Sequence, residues 1–472
     1  MNKTALTALI LALAVWLGGC TGTGAPPASQ APSETPVPME PQTPEPVPTP
    51  EPTPEPSAGL DFSALPAPED REIAETLPDL FATLAGAPVV SAEDYDARTR
   101  ELRDLYQYYM YGFYPDGSAE TTTYGRDGKA LTVTVEFEGR SVSFDALISV
   151  PDPAKVPVPE GGYPVIVVLG FVFGDALEHG IPYQYALDNG YAVITYNAMQ
   201  LAADSGEDGL VHTGLFYDLH PYTDDVFTQA GALLAWAWGG SKVIDALENG
   251  LGAECALSAE NIILTGVSRF GKSASVAGAF DERIRVTAPA CSGTGGMALF
   301  RYNSQGHVYD FSPAGGRAEY RMGQNEALRQ LVGNGAYHWF NDVFRNFPRE
   351  DGAFRLPFDQ HMLAALCGTG GRHLFIITAY SGEDWTNPPG MYGTFLAAQK
   401  AFDFTGTPDH LSINIHPEGH AVVPDDLEKL IAYCNYHFYG LESPIDLSVL
   451  KTSLFDEVEG NRYADLDALV GR

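Results

Sequence analysis

One segment of this chain leaves no face for water. Tyr163-Pro164-Val165-Ile166-Val167-Val168-Leu169 carries no charged or amide side chain, so as a strand it must be covered on both sides, as interior strands of parallel sheets are. Shorter apolar runs repeat the demand downstream. Tyr191 to Tyr196, Asn261 to Thr265, Ile284 to Ala288, His373 to Ala379 and Leu411 to Ile415 read as strands. Between and after them, Asp225 to Trp238, Ser241 to Leu247, Ser273 to Phe280, Phe358 to Cys367, Leu396 to Phe404 and Asp425 to Tyr439 read as helices. Strand alternating with helix predicts an α/β fold: a three-layer αβα sandwich on a mostly parallel central sheet. Upstream, Leu131 to Val135 and Ser141 to Phe144 alternate on either side of Gly139, a hairpin that gives the sheet an antiparallel start. Ala92 to Tyr109 predicts a polar-faced helix stopped by Gly112 and Pro115.

The first 60 residues have a different character. Lys3, an apolar run from Ala5 to Leu17 and then Leu17-Gly18-Gly19-Cys20 form the pattern of a secretory signal cut before a lipid-modified cysteine. The run is shorter than the roughly 20 residues a membrane span requires. Residues 1–20 are therefore expected to be a lipoprotein signal with Cys20 as the lipid anchor, and the mature chain an extracellular, cell-surface lipoprotein. Residues 21–60, rich in Pro, Thr and Glu, predict a disordered spacer that cannot bury a core. The folded domain is then 61–472. A net charge of −34 argues against nucleic acid as partner, which requires a positive surface. The remaining cysteines, Cys255, Cys291, Cys367 and Cys434, have no spacing that dictates disulfide pairing or a zinc cluster. Met297 to Arg349, rich in Gly, Tyr, Arg and Asn, reads as an insertion over the carboxyl edge of the sheet, a candidate substrate lid.

Residues 264 to 273, Leu-Thr-Gly-Val-Ser-Arg-Phe-Gly-Lys-Ser, satisfy two motifs with incompatible chemistry. From Gly266 to Ser273 they spell a phosphate-binding loop, G-x-x-x-x-G-K-S. Around Ser268 they spell a nucleophile elbow between strand and helix. The phosphate loop needs a magnesium-binding aspartate at a neighbouring strand end, yet Ile284 to Ala288 runs into Pro289-Ala290-Cys291-Ser292. The elbow finds its partners in α/β-hydrolase order: Ser268, then Glu383 or Asp384 after a later strand, then His420 near the end. Ser268 needs a base to take its proton, and His420 is the candidate; His416, nearer the strand end, reads as structural. Arg269 is a fixed cation beside the nucleophile, suited to a tetrahedral oxyanion through its guanidinium and its backbone N–H. Lys272, a turn onward, would reach a sugar hydroxyl or a carboxylate. Such chemistry needs no metal or organic cofactor.

At these residues the chain resembles the glucuronoyl esterases of carbohydrate esterase family 15, whose Gly-x-Ser-Arg-x-Gly-Lys motif stands as Gly266 to Lys272. Ala235-Trp236-Ala237-Trp238-Gly239 with Ile244-Asp245-Ala246-Leu247 is similar to a second family stretch. The resemblance spans the folded part and implies an extracellular serine esterase; the chain is expected to be a monomer. Its substrate would be the ester between (4-O-methyl-)glucuronic acid on xylan and a lignin alcohol, in glucuronoxylan or lignin-carbohydrate esters, with membrane contact through the lipid anchor only. It implies Ser268 as nucleophile, His420 as base, Arg269 as oxyanion donor, and Lys272, Glu326 and Trp385 as sugar contacts. Fungal members carry an acid where Cys291 stands here, so the acid is expected after the later strand, with Glu383 favoured over Asp384 by its spacing to Trp385. Two other readings compete: an esterase of the same fold for another carbohydrate or small acyl ester, and a non-catalytic glycan-binding surface protein.

Overall fold

A computed structural model describes residues 59–170, 181–333, 335–452, 454–455, 457–459 and 466–471. The predicted signal, Cys20 and nearly all of the predicted spacer lie outside these residues.

Nine strands form one sheet: β1 (Thr121–Asp127), β2 (Ala130–Phe137), β3 (Arg140–Ser149), β4 (Tyr163–Gly170), β5 (Ala192–Asn197), β6 (Leu257–Val267), β7 (Val286–Ala290), β10 (His373–Ser381) and β11 (Leu411–Glu418), in the order β1-β2-β3-β5-β4-β6-β7-β10-β11. The chain order is completed by three short strands, β8 (Val308–Tyr309), β9 (Tyr320–Arg321) and β12 (Glu457–Glu459), which pair separately. From β5 to β11 every neighbouring pair is parallel, while β1, β2, β3 and β5 meet antiparallel.

The period of two in each strand divides the apolar residues between two cores. In β4, Val165, Val167 and Leu169 join Trp236, Trp238, Ala274, Ala277 and Leu363 on one face. On the other, Ile166 and Val168 join Leu427, Leu430 and Ile431. All of β4, β7 and β10 is buried, as strands covered on both faces must be. The architecture is an α/β sandwich with helices on both sides of a mostly parallel sheet.

Two expectations need correction. The helices predicted at Asp225 to Trp238 and Ser241 to Leu247 are one helix, Ala232–Ala246. Gly239 and Gly240 do not break it: a Cβ at Gly239 would lie 2.3 Å from the Leu201 side chain and 2.7 Å from Tyr196. The pair lets the helix settle onto Tyr196. Secondly, β1 went unread because its burial pattern exposes most of its residues. The insertion carries two strands of two residues each, β8 and β9, which pair antiparallel, and β8 also pairs antiparallel with β12.

Candidate active site

β6 ends at Val267, and the next residue, Ser268, sits at φ 65°, ψ −127°, a strained conformation for a side chain with a Cβ. The helix Arg269–Phe280 starts at once. Glycine makes so sharp a turn possible by allowing close approach: a Cβ at Gly266 would lie 2.7 Å from the Phe270 carbonyl oxygen, and one at Gly271 2.5 Å from the Ala290 carbonyl oxygen. The Ser268 N–H donates to Ala290 at 2.9 Å, tying the turn to the end of β7. The Ser268 hydroxyl does not cap the helix. The first intrahelical bond runs from Lys272 N–H to the Ser268 carbonyl, so the amide of Arg269 is one of the unengaged donors of a helix N-terminus. Gly271, Lys272 and Ser273 lie inside the helix, which removes the loop that the phosphate-binding reading requires.

The other ends of adjacent parallel strands bring the partners. Beyond β11, His420 Nδ1 lies 2.7 Å from Glu383 Oε2, beyond β10. Glu383 is buried, whereas the His420 side chain is 34% exposed, so its other nitrogen can face a substrate. Asp384 takes a different path: it accepts from the Tyr320 hydroxyl at 3.1 Å. Of the two acids, the structure brings Glu383 to the histidine. Cys291 follows β7, its sulfur within 4.8 Å of the ligand atoms of both Glu383 and His420. Burial, with the Glu383 charge adding to it, pushes its thiol far up, so it stands beside the pair as a neutral group. His416 sets the loop. Its Nδ1 lies 3.1 Å from Asp426 and its Nε2 donates to the Gly419 carbonyl at 3.0 Å, next to His420. Burial opposes charge on His416, but the Asp426 carboxylate outweighs it and raises its pKa.

Lys272 is almost wholly buried and donates to Glu326 Oε2 and to the Ser292 carbonyl, each at 2.7 Å. Burial lowers the Lys272 pKa and raises that of Glu326, and each partner's charge opposes the other's shift. The Glu326 N–H donates to the Trp385 carbonyl at 2.8 Å. Trp385 is 39% exposed, unusual for its size, and its ring centre lies 4.9 Å from that of His420. Ser268, Lys272, Glu326, Trp385, His420 and Glu383 therefore form a chain of neighbours around one place at the carboxyl edge of the sheet. Ser268 and Lys272 follow β6 in the sheet's middle, Glu326 lies in the insertion with Trp385 bonded to it, and Glu383 and His420 follow β10 and β11.

Arg269 is paired with Asp204, and its guanidinium carbon lies 5.6 Å from the centre of the Trp339 ring. Asp204 also accepts from His338 Nε2 at 2.9 Å and Trp339 Nε1 at 2.7 Å. Burial would raise the Asp204 carboxyl, but these donors and the Arg269 charge hold it down at about 2. Sequence reading missed Asp204, His338 and Trp339. Only Tyr337-His338-Trp339, a polar-aromatic cluster inside a Gly-rich insertion, offered a signal. Cys255, Cys291, Cys367 and Cys434 are all free thiols. His373, His410 and His437 gather at the opposite end of the sheet, with nitrogens within 4.8 Å of one another. The rings of His373 and His410 stack at 3.8 Å and 25°, so their in-plane lone pairs run nearly parallel and do not converge on one ion.

The arrangement supports acyl transfer. A serine held on a strained turn, a histidine oriented by a buried carboxylate, and open amides at a helix N-terminus are the parts such chemistry needs. A family model described as "Glucuronyl esterase, fungi" matches residues 133–406. The chain is 42% identical over 394 residues to a multidomain esterase of Ruminococcus flavefaciens, covering 83% of this chain and 50% of that protein. It spans about half the length of that relative. To a 4-O-methyl-glucuronoyl methylesterase of Hypocrea jecorina it is 32% identical over 389 residues, covering 81% of this chain and 74% of the other. Among solved structures, a family 15 glucuronoyl esterase from Caldicellulosiruptor kristjansonii is 38% identical with a TM-score of 0.71, covering 82% of this chain and 96% of that one. The glucuronoyl esterase catalytic domain from Hypocrea jecorina has a TM-score of 0.64 at 30% identity, covering 84% and 96% respectively.

Proposed function

The chain belongs to the glucuronoyl esterases of carbohydrate esterase family 15 and is a carboxylic ester hydrolase; we propose that it cleaves esters joining (4-O-methyl-)glucuronic acid on xylan to lignin alcohols. The observation that carries this reading is the chain of neighbours from Ser268 through Lys272, Glu326 and Trp385 to His420, which links the serine and the histidine through a buried ion pair and an exposed aromatic ring. Ion pair and ring together suit a sugar that has hydroxyls and one apolar face.

In this reading each residue has a step to perform. Ser268 Oγ attacks the ester carbon as His420 Nε2 takes its proton, and Glu383 steadies the imidazolium through Nδ1. The oxyanion is met by the Arg269 amide, with the guanidinium alongside. The tetrahedral species collapses, the C–O bond to the alcohol breaks, and His420 protonates the leaving oxygen. Water, activated by the same histidine, then attacks the uronoyl-serine ester, releasing the uronic acid and restoring Ser268. Lys272, Glu326 and Trp385 hold the sugar, so its carboxyl carbon stays over Ser268 through both halves.

Hydrolysis of benzyl glucuronate tests the reading. Wild-type protein should turn it over faster than acetylated xylan or aryl acetates, and Ser268→Ala should lose about a thousandfold or more in kcat while keeping its melting temperature. Equal turnover by the alanine variant would dismiss Ser268. A preference for acetyl esters would replace the substrate class.

The sequence pattern at Leu17 to Cys20 further supports a cell-surface protein held by lipid on Cys20, with the Pro-rich spacer between membrane and enzyme. In cells, Cys20→Ala should pass into the medium; retention on the cell would refute the anchor.

A further inference from the structure

Beside the catalytic place, the insertion and residues 349–354 enclose a cavity of ≈ 780 Å³. That lies within the range of about 300–1,000 Å³ occupied by small-molecule sites. Its character departs from the molecule's. In a chain of net charge −34, the cavity is lined by Arg321, Arg329 and Arg349, with Arg301 as a fourth arginine. Arg301 is buried and committed to Asp359 at 3.3 Å. Arg321 donates to the Gly306 carbonyl at 2.6 Å. Arg329 and Arg349 have no ion-pair partner among the described residues, although Glu350 lines the same cavity. The other lining acid, Glu326, is held by Lys272.

Guanidinium groups without carboxylate partners are forks open to a carboxylate from elsewhere. The rest of the lining suits a sugar. Phe354 is half-buried and offers a ring face, and Asn303 offers an amide. Glu326 belongs both to this lining and, through Lys272, to the chain of neighbours that starts at Ser268, so the two places share a wall. A glycan leaving the catalytic place along that wall meets the arginines next.

We propose that this cavity is a second carbohydrate subsite, which takes a free carboxylate borne by another acidic sugar on the glycan that carries the scissile ester. The proposal rests on the uronate-ester reading above and adds a preference for densely acidic chains over sparsely decorated ones. Binding here is noncovalent and leaves the chemical steps unchanged.

The experiment compares wild type with Arg329→Glu/Arg349→Glu on two substrates: benzyl glucuronate, and an oligosaccharide with one glucuronate ester and one free uronate. Both residues are exposed, and Arg329→Gln/Arg349→Gln provides a milder pair should the reversal harm folding. The expected result is a KM on the order of tenfold higher on the oligosaccharide alone, with kcat unchanged and the difference shrinking as salt rises. No change on either substrate, or the same change on both, overturns the subsite. If wild type cleaves neither substrate, the catalytic reading has failed by itself. The subsite is then judged by calorimetric binding of a free uronic-acid oligosaccharide to Ser268→Ala, with and without the arginine substitutions. Weaker binding in the substituted protein sustains the subsite, and unchanged binding overturns it.

Discussion

The Glu383 carboxylate is buried against His420, and one residue on the Asp384 carboxylate accepts from Tyr320. Their chemistry is the same and their surroundings are not. Glu383→Gln should therefore lose about a thousandfold in kcat, because the imidazole is left without the charge that orients and stabilises it, while Asp384→Asn should stay within about tenfold. Steady-state kinetics on a soluble uronate ester decides between them. Both acids stood in the correct chain order, so order alone left two; the spacing to Trp385 favoured Glu383, and that is the acid whose side chain turns to His420. Asp204 was less legible still. Its role follows from His338 and Trp339 arriving from a distant insertion, and no local pattern records that meeting. With its folded pKa held down at about 2, Asp204 adds stability that is complete above the ordinary carboxylate range and is lost as pH falls through that value. Denaturant titrations between pH 5 and 2 should show wild type losing stability more steeply than Asp204→Asn.

Among the elements, the helix Arg269–Phe280 shows how a motif legible by spelling becomes a site by packing. Within it, Gly271 and Gly278 serve as contact points with the sheet. A Cβ at Gly278 would lie 2.1 Å from Thr287 Oγ1, and one at Gly271 would meet the backbone of Ala290. Gly278→Ala should lower stability by about 1–3 kcal/mol with kcat nearly unchanged. Gly271→Ala should shift the helix start and cut kcat at least tenfold, so the two separate on a plot of activity against melting temperature. The loop after β11 depends instead on charge. His416, with its raised pKa, contributes stability that is complete below the ordinary histidine value and lapses as pH rises through the raised one. His416→Gln should flatten that part of the stability profile between pH 6 and 9. Helix boundaries were misread where glycine served packing, and β1 was missed because a mostly exposed strand lacks the alternation that marks a half-buried one.

For the molecule as a whole, the two-sided burial of β4 together with the alternation of strand and helix along the chain was enough to foresee a mostly parallel sheet between helices. The position of each strand within that sheet was not foreseeable, because order depends on which crossovers pack, and position has its own effect. Ser268 follows β6, which has β4 on one side and β7 on the other; His420 follows β11, which lies at the rim with β10 as its only sheet neighbour among the described residues. Local opening is cheapest where fewest neighbours must be released. Warming should thus peel away the proton acceptor while the nucleophile stays seated, so that the enzyme is disarmed before it melts. The temperature of half-maximal activity loss after a brief heat step, assayed hot, should fall below the midpoint seen by far-ultraviolet circular dichroism. Cooling should restore the rate in full for as long as the centre has held.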